Sequence, residues 1–108
     1  MTSRRQPKKS ESSIQGAIQV AISQAGGVAL RINAGTFLVG DRAVKGAPSG
    51  FSDLLVLLPS ARAVFVEVKS ATGKQRPSQE HFEALVTFFG FKYAVVRSVS
   101  EALAACGL

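Results

Sequence analysis

Residues 50–69 read Gly50-Phe-Ser-Asp53-Leu-Leu-Val-Leu-Leu58-Pro-Ser-Ala-Arg-Ala63-Val-Phe-Val-Glu67-Val-Lys69. Leu54 to Leu58 is an unbroken apolar run, which suits a central strand covered on both faces. Pro59-Ser60 turns the chain, and Ala63 to Lys69 reads as the neighbouring strand. Side chains alternate along a strand, so Glu67 and Lys69 face the same side. Two adjacent strands joined by a short turn bring the start of one beside the end of the other. Asp53, fourteen residues before Glu67, is therefore expected close to it.

Working outward, residues 40 to 52 hold Gly40, Gly46, Pro48, Ser49, Gly50 and Ser52 and read as a long loop. Loops of that length tend to be functional or disordered. Thr36-Phe-Leu-Val39 fits a second strand. Val28 to Asn33 fits a first, with Val28, Leu30 and Ile32 on one face and Arg31 and Asn33 on the other. Ahead of it, Ile14, Ala17, Ile18, Ala21, Ile22 and Ala25 recur at helical spacing from Ser10 or Ser12 onward. Ser12 with Gln15 fits a capping box, and Gly26-Gly27 ends the helix. Downstream, Ala71 to Pro77 is a polar loop, and Ser78 opens a helix with the stripe Phe82, Leu85, Val86 and Phe89 and the stop Gly90. Lys92 to Val96 is a strand, and Ser98 with Glu101 starts a short terminal helix. The order α-β-β-β-β-α-β-α predicts an α/β domain, one mixed sheet flanked by helices.

The 108 residues suffice for one domain with one modest core, and 46% of them are hydrophobic against 19% charged. That composition is globular. No apolar run approaches the roughly 20 residues needed to span a bilayer, and no apolar segment follows the basic N-terminus as in a secretory signal. Cys106 is the only cysteine, which excludes an intrachain disulfide and a cysteine metal cluster; the cytoplasm is the expected compartment. The net charge of +6 points to an anionic partner. Arg4, Arg5, Lys8 and Lys9 supply four of those charges, leaving +2 for residues 10–108, the expected folded domain. Residues 1–9 are expected to be a flexible tail, either solubilising or phosphate-binding. Within the body, Lys69, Lys74 and Arg76 form one basic cluster, and Arg42 with Lys45 forms another beside Asp41.

Asp53, Glu67 and Lys69 carry the chemistry. Two carboxylates at the rim of an apolar sheet repel unless one is protonated or a cation sits between them. Hard oxygen ligands of this kind suit Mg²⁺ or Mn²⁺, which keep several waters and complete their shell with substrate phosphates. Lys69 can reach the same phosphate or orient a water. Taken alone, the Asp-x13-Glu-x-Lys spacing is weak. A turn aspartate and a solvated pair on an edge strand fit it too. Asp41 is a lesser candidate for the first acid, because loop rather than strand follows it.

The surrounding residues add specificity. Glu11, Arg31-Ile-Asn33 with Gly35, Gly50-Phe-Ser-Asp53, Phe65-Val-Glu67-Val-Lys69, Gln79 in Pro77-Ser-Gln-Glu, Gly90 and Tyr93-Ala-Val-Val-Arg97 occur in that order. In this pattern, from Glu11 to about Ser98, the chain resembles the VRR-NUC branch of the PD-(D/E)XK nuclease superfamily, with its restriction-endonuclease-like core. The resemblance implies that Asp53 and Glu67 are metal ligands, that Val68 lends its backbone carbonyl, and that Lys69 is the catalytic lysine. Glu11 and Gln79 would be auxiliary site residues. It further implies metal-dependent hydrolysis of DNA with Mg²⁺, or Mn²⁺ in its place, leaving a 5′-phosphate and a 3′-hydroxyl. Stand-alone members of similar size look like phage or mobile-element enzymes acting on branched DNA, including four-way (Holliday) junctions. Ser52 stands where the family usually has proline. Since that proline supplies no catalytic group, the departure leaves the chemistry intact.

The accessory residues each keep two readings. Glu11 extends the inward stripe of its helix as a third acid, or is a helix-start charge favoured by the macrodipole. Gln79 points at the sheet, or makes a first-turn bond to backbone. Arg31 and Asn33 meet phosphates, or are paired surface residues. Arg42, Lys45, Lys74 and Arg76 are the remaining candidates for contacts with DNA. One active site per chain and two matched cuts per junction make a two-fold homodimer the economical assembly.

Overall fold

The computed structural model describes residues 10–32, 36–47 and 49–108. The chain runs α1 (Glu11–Gln24), β1 (Val28–Arg31), β2 (Thr36–Val39), β3 (Arg42–Lys45), β4 (Leu54–Leu58), β5 (Arg62–Val68), α2 (Pro77–Phe88), β6 (Lys92–Val96) and α3 (Val99–Ala105). Four strands form a mixed sheet in the order β1-β4-β5-β6, and β2 with β3 forms a separate hairpin. β4 pairs antiparallel with β1 and β5, whereas β5 and β6 are parallel, connected through α2. No helix among the described residues is long and apolar enough to cross a membrane.

The core lies on one face of that sheet. Leu54, Val56, Val64, Val66, Val68 and Val96 are buried there, and Ile14, Ile18 and Ile22 of α1 cover them at the four-residue spacing of a helix face. Ala102 and Cys106 complete the cover from α3. Burying each such aliphatic side chain stabilises the fold by about 1.5–3 kcal/mol relative to exposing it. α2 packs on the other face, where Phe82 meets Phe65 and Tyr93 edge-to-face, with ring centroids 5.7 and 6.3 Å apart.

Several sequence expectations shift. Ser10, not Ser12, caps α1: its Oγ accepts the N–H of Ser13 at 3.1 Å, which makes Glu11 the first helical residue. α2 begins at Pro77, ahead of Ser78, because proline suits the first helical position, where no N–H is needed. Ser98 caps α3 as expected, accepting from Glu101 N–H while Glu101 Oε1 accepts the N–H of Arg97. The stretch 40–52 is not all loop. Arg42–Lys45 pairs with β2 across a two-residue turn, Gly40-Asp41, with Gly40 at φ 67°. A glycine at the first turn position followed by a polar residue is the hairpin chemistry that the glycine-rich reading passed over. β1 also ends at Arg31, and of its two faces the one with Val28 and Leu30 is the uncovered one. Ala29 packs on the core, while Val28 and Leu30 point away. Leu85 and Phe89, expected inward on α2, are exposed as well.

Candidate active site

The register of β4 on β5 pairs Leu54 with Val66, so Asp53 stands opposite Glu67 at the end of the sheet. Asp53 Oδ2 accepts the backbone N–H of Val68 at 2.8 Å, which pins the carboxylate against β5. Ser52, in place of the family's proline, is fully buried and donates its hydroxyl to the carbonyl of Leu54 at 3.0 Å. Gly50 closes the approach. It has φ 87°, and a Cβ there would lie 2.2 Å from the carbonyl oxygen of Ser78. Only glycine lets the loop before Asp53 lie against the first turn of α2.

That contact brings α2 to the same place. Gln79 is buried, and its Oε1 accepts the N–H of Arg76 at 2.9 Å, half of a capping box. Its amide nitrogen then faces the sheet and donates to Glu67 Oε1 at 2.8 Å. Both sequence readings of Gln79 hold at once: one end of the amide caps the helix and the other orients the glutamate. Lys69 Nζ lies 3.6 Å from the same Oε1, and both side chains are buried. The other oxygen of Glu67, Oε2, is buried and receives no hydrogen bond from any donor among the described residues; the Asp53 carboxyl is its charged neighbour. Burial first, and then the adjacent Asp53 carboxyl, push the Glu67 carboxyl up to about 8, with Lys69 offsetting only part of the rise. An acid so placed calls for a positive charge beside it.

The other candidates spread more widely. Glu11 is exposed and does not continue the buried stripe of α1, because it opens the helix. Its carboxylate still borders the site: Glu11 Oε1 and Lys69 Cδ flank Gly73, 3.1 and 3.4 Å from the point a Cβ there would occupy. Lys74 and Arg76 are exposed in the segment between Lys69 and α2, beside the cluster. Arg31 ends β1 opposite Leu54 and so leaves the sheet on the core face, away from Glu67. Asn33 and residues 1–9 lie outside the described residues. Arg42 and Lys45 are exposed on β3, on the hairpin rather than on the main sheet. No group of three or more His, Cys, Asp or Glu side chains converges among the described residues.

Sequence reasoning gave no role to Arg97. It follows β6 next to Lys69, and its Nη1 donates to the carbonyls of Ser70 and Gly73, at 2.8 Å for Gly73. The guanidinium thus ties down the loop that leaves the site. The parallel β5–β6 register, which pairs Val68 with Val96, is the signal that places it.

The domain-family model for VRR-NUC matches residues 11–100, most of the chain. The chain belongs to the VRR-NUC domain family. A solved structure of a VRR-NUC domain matches it with a TM-score of 0.67 and 26% identity, covering 90% of this chain and 94% of that one. No curated protein matches the chain. A VRR-NUC domain is a nuclease of the PD-(D/E)XK type, and its mixed sheet flanked by helices is the architecture seen here. DNA is the substrate that this VRR-NUC membership implies.

Proposed function

We propose that this VRR-NUC domain is a divalent-metal-dependent endonuclease that hydrolyses phosphodiesters in branched DNA, four-way junctions among them, as a two-fold homodimer. The observation that carries the reading is Oε2 of Glu67, buried beside a second carboxylate with no donor to it among the described residues. Two carboxylates with one free buried oxygen fit a hard cation that keeps most of its own waters. Asp53, Glu67 and the carbonyl of Val68 would hold Mg²⁺, or Mn²⁺ in its place. When bound, such an ion polarises the phosphodiester and lowers the pKa of water.

The chain's own groups do the rest. Gln79 and the N–H of Val68 fix the two carboxylates before substrate arrives, so little reorganisation is left for the reaction itself. Lys69 is held by Glu67 on the same face and places a positive charge where negative charge grows on the phosphate. Glu11, at the margin across Gly73, is an auxiliary acid that can orient water. Lys74 and Arg76 beside the site, with Arg42 and Lys45 on the hairpin, are the contacts to DNA phosphates; Arg31, Asn33 and the basic residues 1–9 add to them. Phosphate contacts of this kind make affinity fall steeply with salt.

Labelled four-way junction, flap, linear duplex and single strand, incubated with Mg²⁺, Mn²⁺ or EDTA, test the proposal. Metal-dependent cutting of the junction ahead of the duplex is expected. Binding without cutting would make the chain a basic binding module instead. Equal cutting of linear duplex would make it a nuclease of duplex or ends.

A further inference from the structure

Among the described residues, β2 and β3 form a ribbon that shares no ladder with the four-stranded sheet. Across it Leu38 pairs with Ala43 and Val39 with Arg42, and Gly40-Asp41 makes the turn. Side chains alternate along a strand, so Leu38, Ala43 and Lys45 share one face of the ribbon. Val39, Arg42 and Val44 share the other. A ribbon lying on the domain would bury one of its faces. Here Leu38 and Val39, on opposite faces, are 73% and 58% exposed, and all four residues of β3 are exposed too. The ribbon therefore stands out into solvent as a blade with an aliphatic tip. A two-stranded hairpin by itself is only marginally stable in water, so a partner that covers it adds to its stability.

Its place in the chain says where the tip works. β1 leaves the sheet at Arg31, opposite Leu54, and the N–H of Ile32 donates to the carbonyl of Asp53 at 2.9 Å. From β3 the chain returns to Asp53 and enters β4. Both ends of the hairpin are thus anchored at the catalytic end of the sheet. Leu38 follows Ile32 in sequence closely enough that full extension, at about 3.4 Å per residue, keeps the tip within ~20 Å of that anchor. That reach is roughly six base steps along a DNA strand.

Charge selects the occupant. Arg42 and Lys45 are exposed, and among the described residues neither forms an ion pair. Asp41, in the turn, is the ribbon's single acid. One cation on each face stands beside the aliphatic tip, so phosphates can be held while apolar side chains touch bases. An apolar protein surface would instead cover both cations without a counter-charge. A groove of duplex DNA admits a two-stranded ribbon, but seating an aliphatic tip between base pairs costs their stacking. At a branch the stack is already interrupted, and the same insertion costs less. We infer that Leu38 and Val39, at the tip of the β2–β3 hairpin, wedge into the interrupted stack at a DNA branch and so select branched DNA for the nearby site. The inference rests on the branched-DNA reading proposed above and supplies its recognition element.

A four-way junction with 2-aminopurine at the branch point, and a linear duplex with the same base, test this with the full chain in EDTA. That base fluoresces more strongly when unstacked, and no cutting is needed. Wild type should raise the junction signal and leave the duplex signal level. Leu38→Ser combined with Val39→Ser should abolish the rise and cut the preference for binding junction over duplex about 10-fold. Leu38→Met should keep both. Arg42→Ala with Lys45→Ala should weaken binding to both DNAs alike and flatten its salt dependence. All these positions are exposed, and unchanged circular dichroism will show that each variant folds. A silent wild type, or an undiminished rise or preference in the double serine variant, would overturn the inference. So would a double serine variant that alters sedimentation and not fluorescence, which would make the tip a protein contact. A junction signal without metal-dependent cutting would count against the nuclease reading and leave the wedge standing. Cutting of the junction with no signal would do the reverse.

Discussion

The two faces of the four-stranded sheet are built to opposite rules. The face under α1 and α3 is covered by apolar side chains, with Leu54, Val56 and Val66 fully buried and charges only at its margin, at Arg31 and Lys92. The face under α2 is half open, and where it is closed it buries Glu67, Lys69 and Gln79 alongside Val86. One face supplies the hydrophobic stabilisation; the other holds an acid whose burial opposes folding. The separation lets a chain of this size carry an unfavourable site without losing its fold.

The comparison breaks most visibly when the same size of change is made on each face. Lys69→Ala is expected to lower cleavage by about 10³-fold while DNA binding stays nearly intact, since the lysine acts on charge that develops in the reaction. Rate assays and gel shifts check this, and a fully active variant would remove Lys69 from the mechanism. On the opposite face, Ile18→Ala should cost about 2–5 kcal/mol in urea denaturation, with any loss of cleavage following only from unfolding. Gln79→Ala lies between. It frees both an N–H of the α2 start and Glu67 Oε1, and should slow cleavage about 10- to 100-fold, with a stability loss of about 1 kcal/mol.

A smaller effect sharpens the contrast by pH. The carboxyl of Glu67 is raised from 4.5 to about 8 in the folded chain. The folded state therefore holds this proton more tightly than the unfolded state. Its contribution to stability is complete below pH 4.5 and is lost as pH rises through 8. In EDTA, wild type should lose stability across that window, and Glu67→Gln should flatten the slope. An equal slope in both would mean that the burial cost lies elsewhere.

Much of this arrangement was legible because β4 and β5 carry their own register. An unbroken apolar run, a Pro59-Ser60 turn and a second run leave little freedom in pairing, and Asp53 falls opposite Glu67 as a result. Alternation likewise put Lys69 on the side of Glu67, where the amine lies 3.6 Å from Oε1. Alternation cannot say which face of a strand is covered. Val28 and Leu30 share a face as alternation requires, but β1 lies at the edge of the sheet and that face is the half-bare one. The same gap explains Leu85 and Phe89: their helix covers only part of the sheet, and apolar spacing looks alike whether or not something lies opposite. β3 was hidden because Gly46, Pro48 and Gly50 dominate the composition around it, masking a short hairpin with its own Gly40-Asp41 turn. The tie from Arg97 to Ser70 and Gly73 depends on a parallel pairing across an intervening helix, which local pattern does not reveal.

The most direct test of the central claim, that Asp53 and Glu67 share one cation, needs no substrate. Thermal unfolding of wild type and Glu67→Gln is followed while Mn²⁺ or Mg²⁺ is titrated in. A ligand that binds only the folded state raises stability by about 2.7 kcal/mol at a hundredfold excess over its dissociation constant. The melting temperature of wild type should climb with metal, and that of Glu67→Gln should stay level. An equal rise in both proteins, or none in wild type, would contradict it.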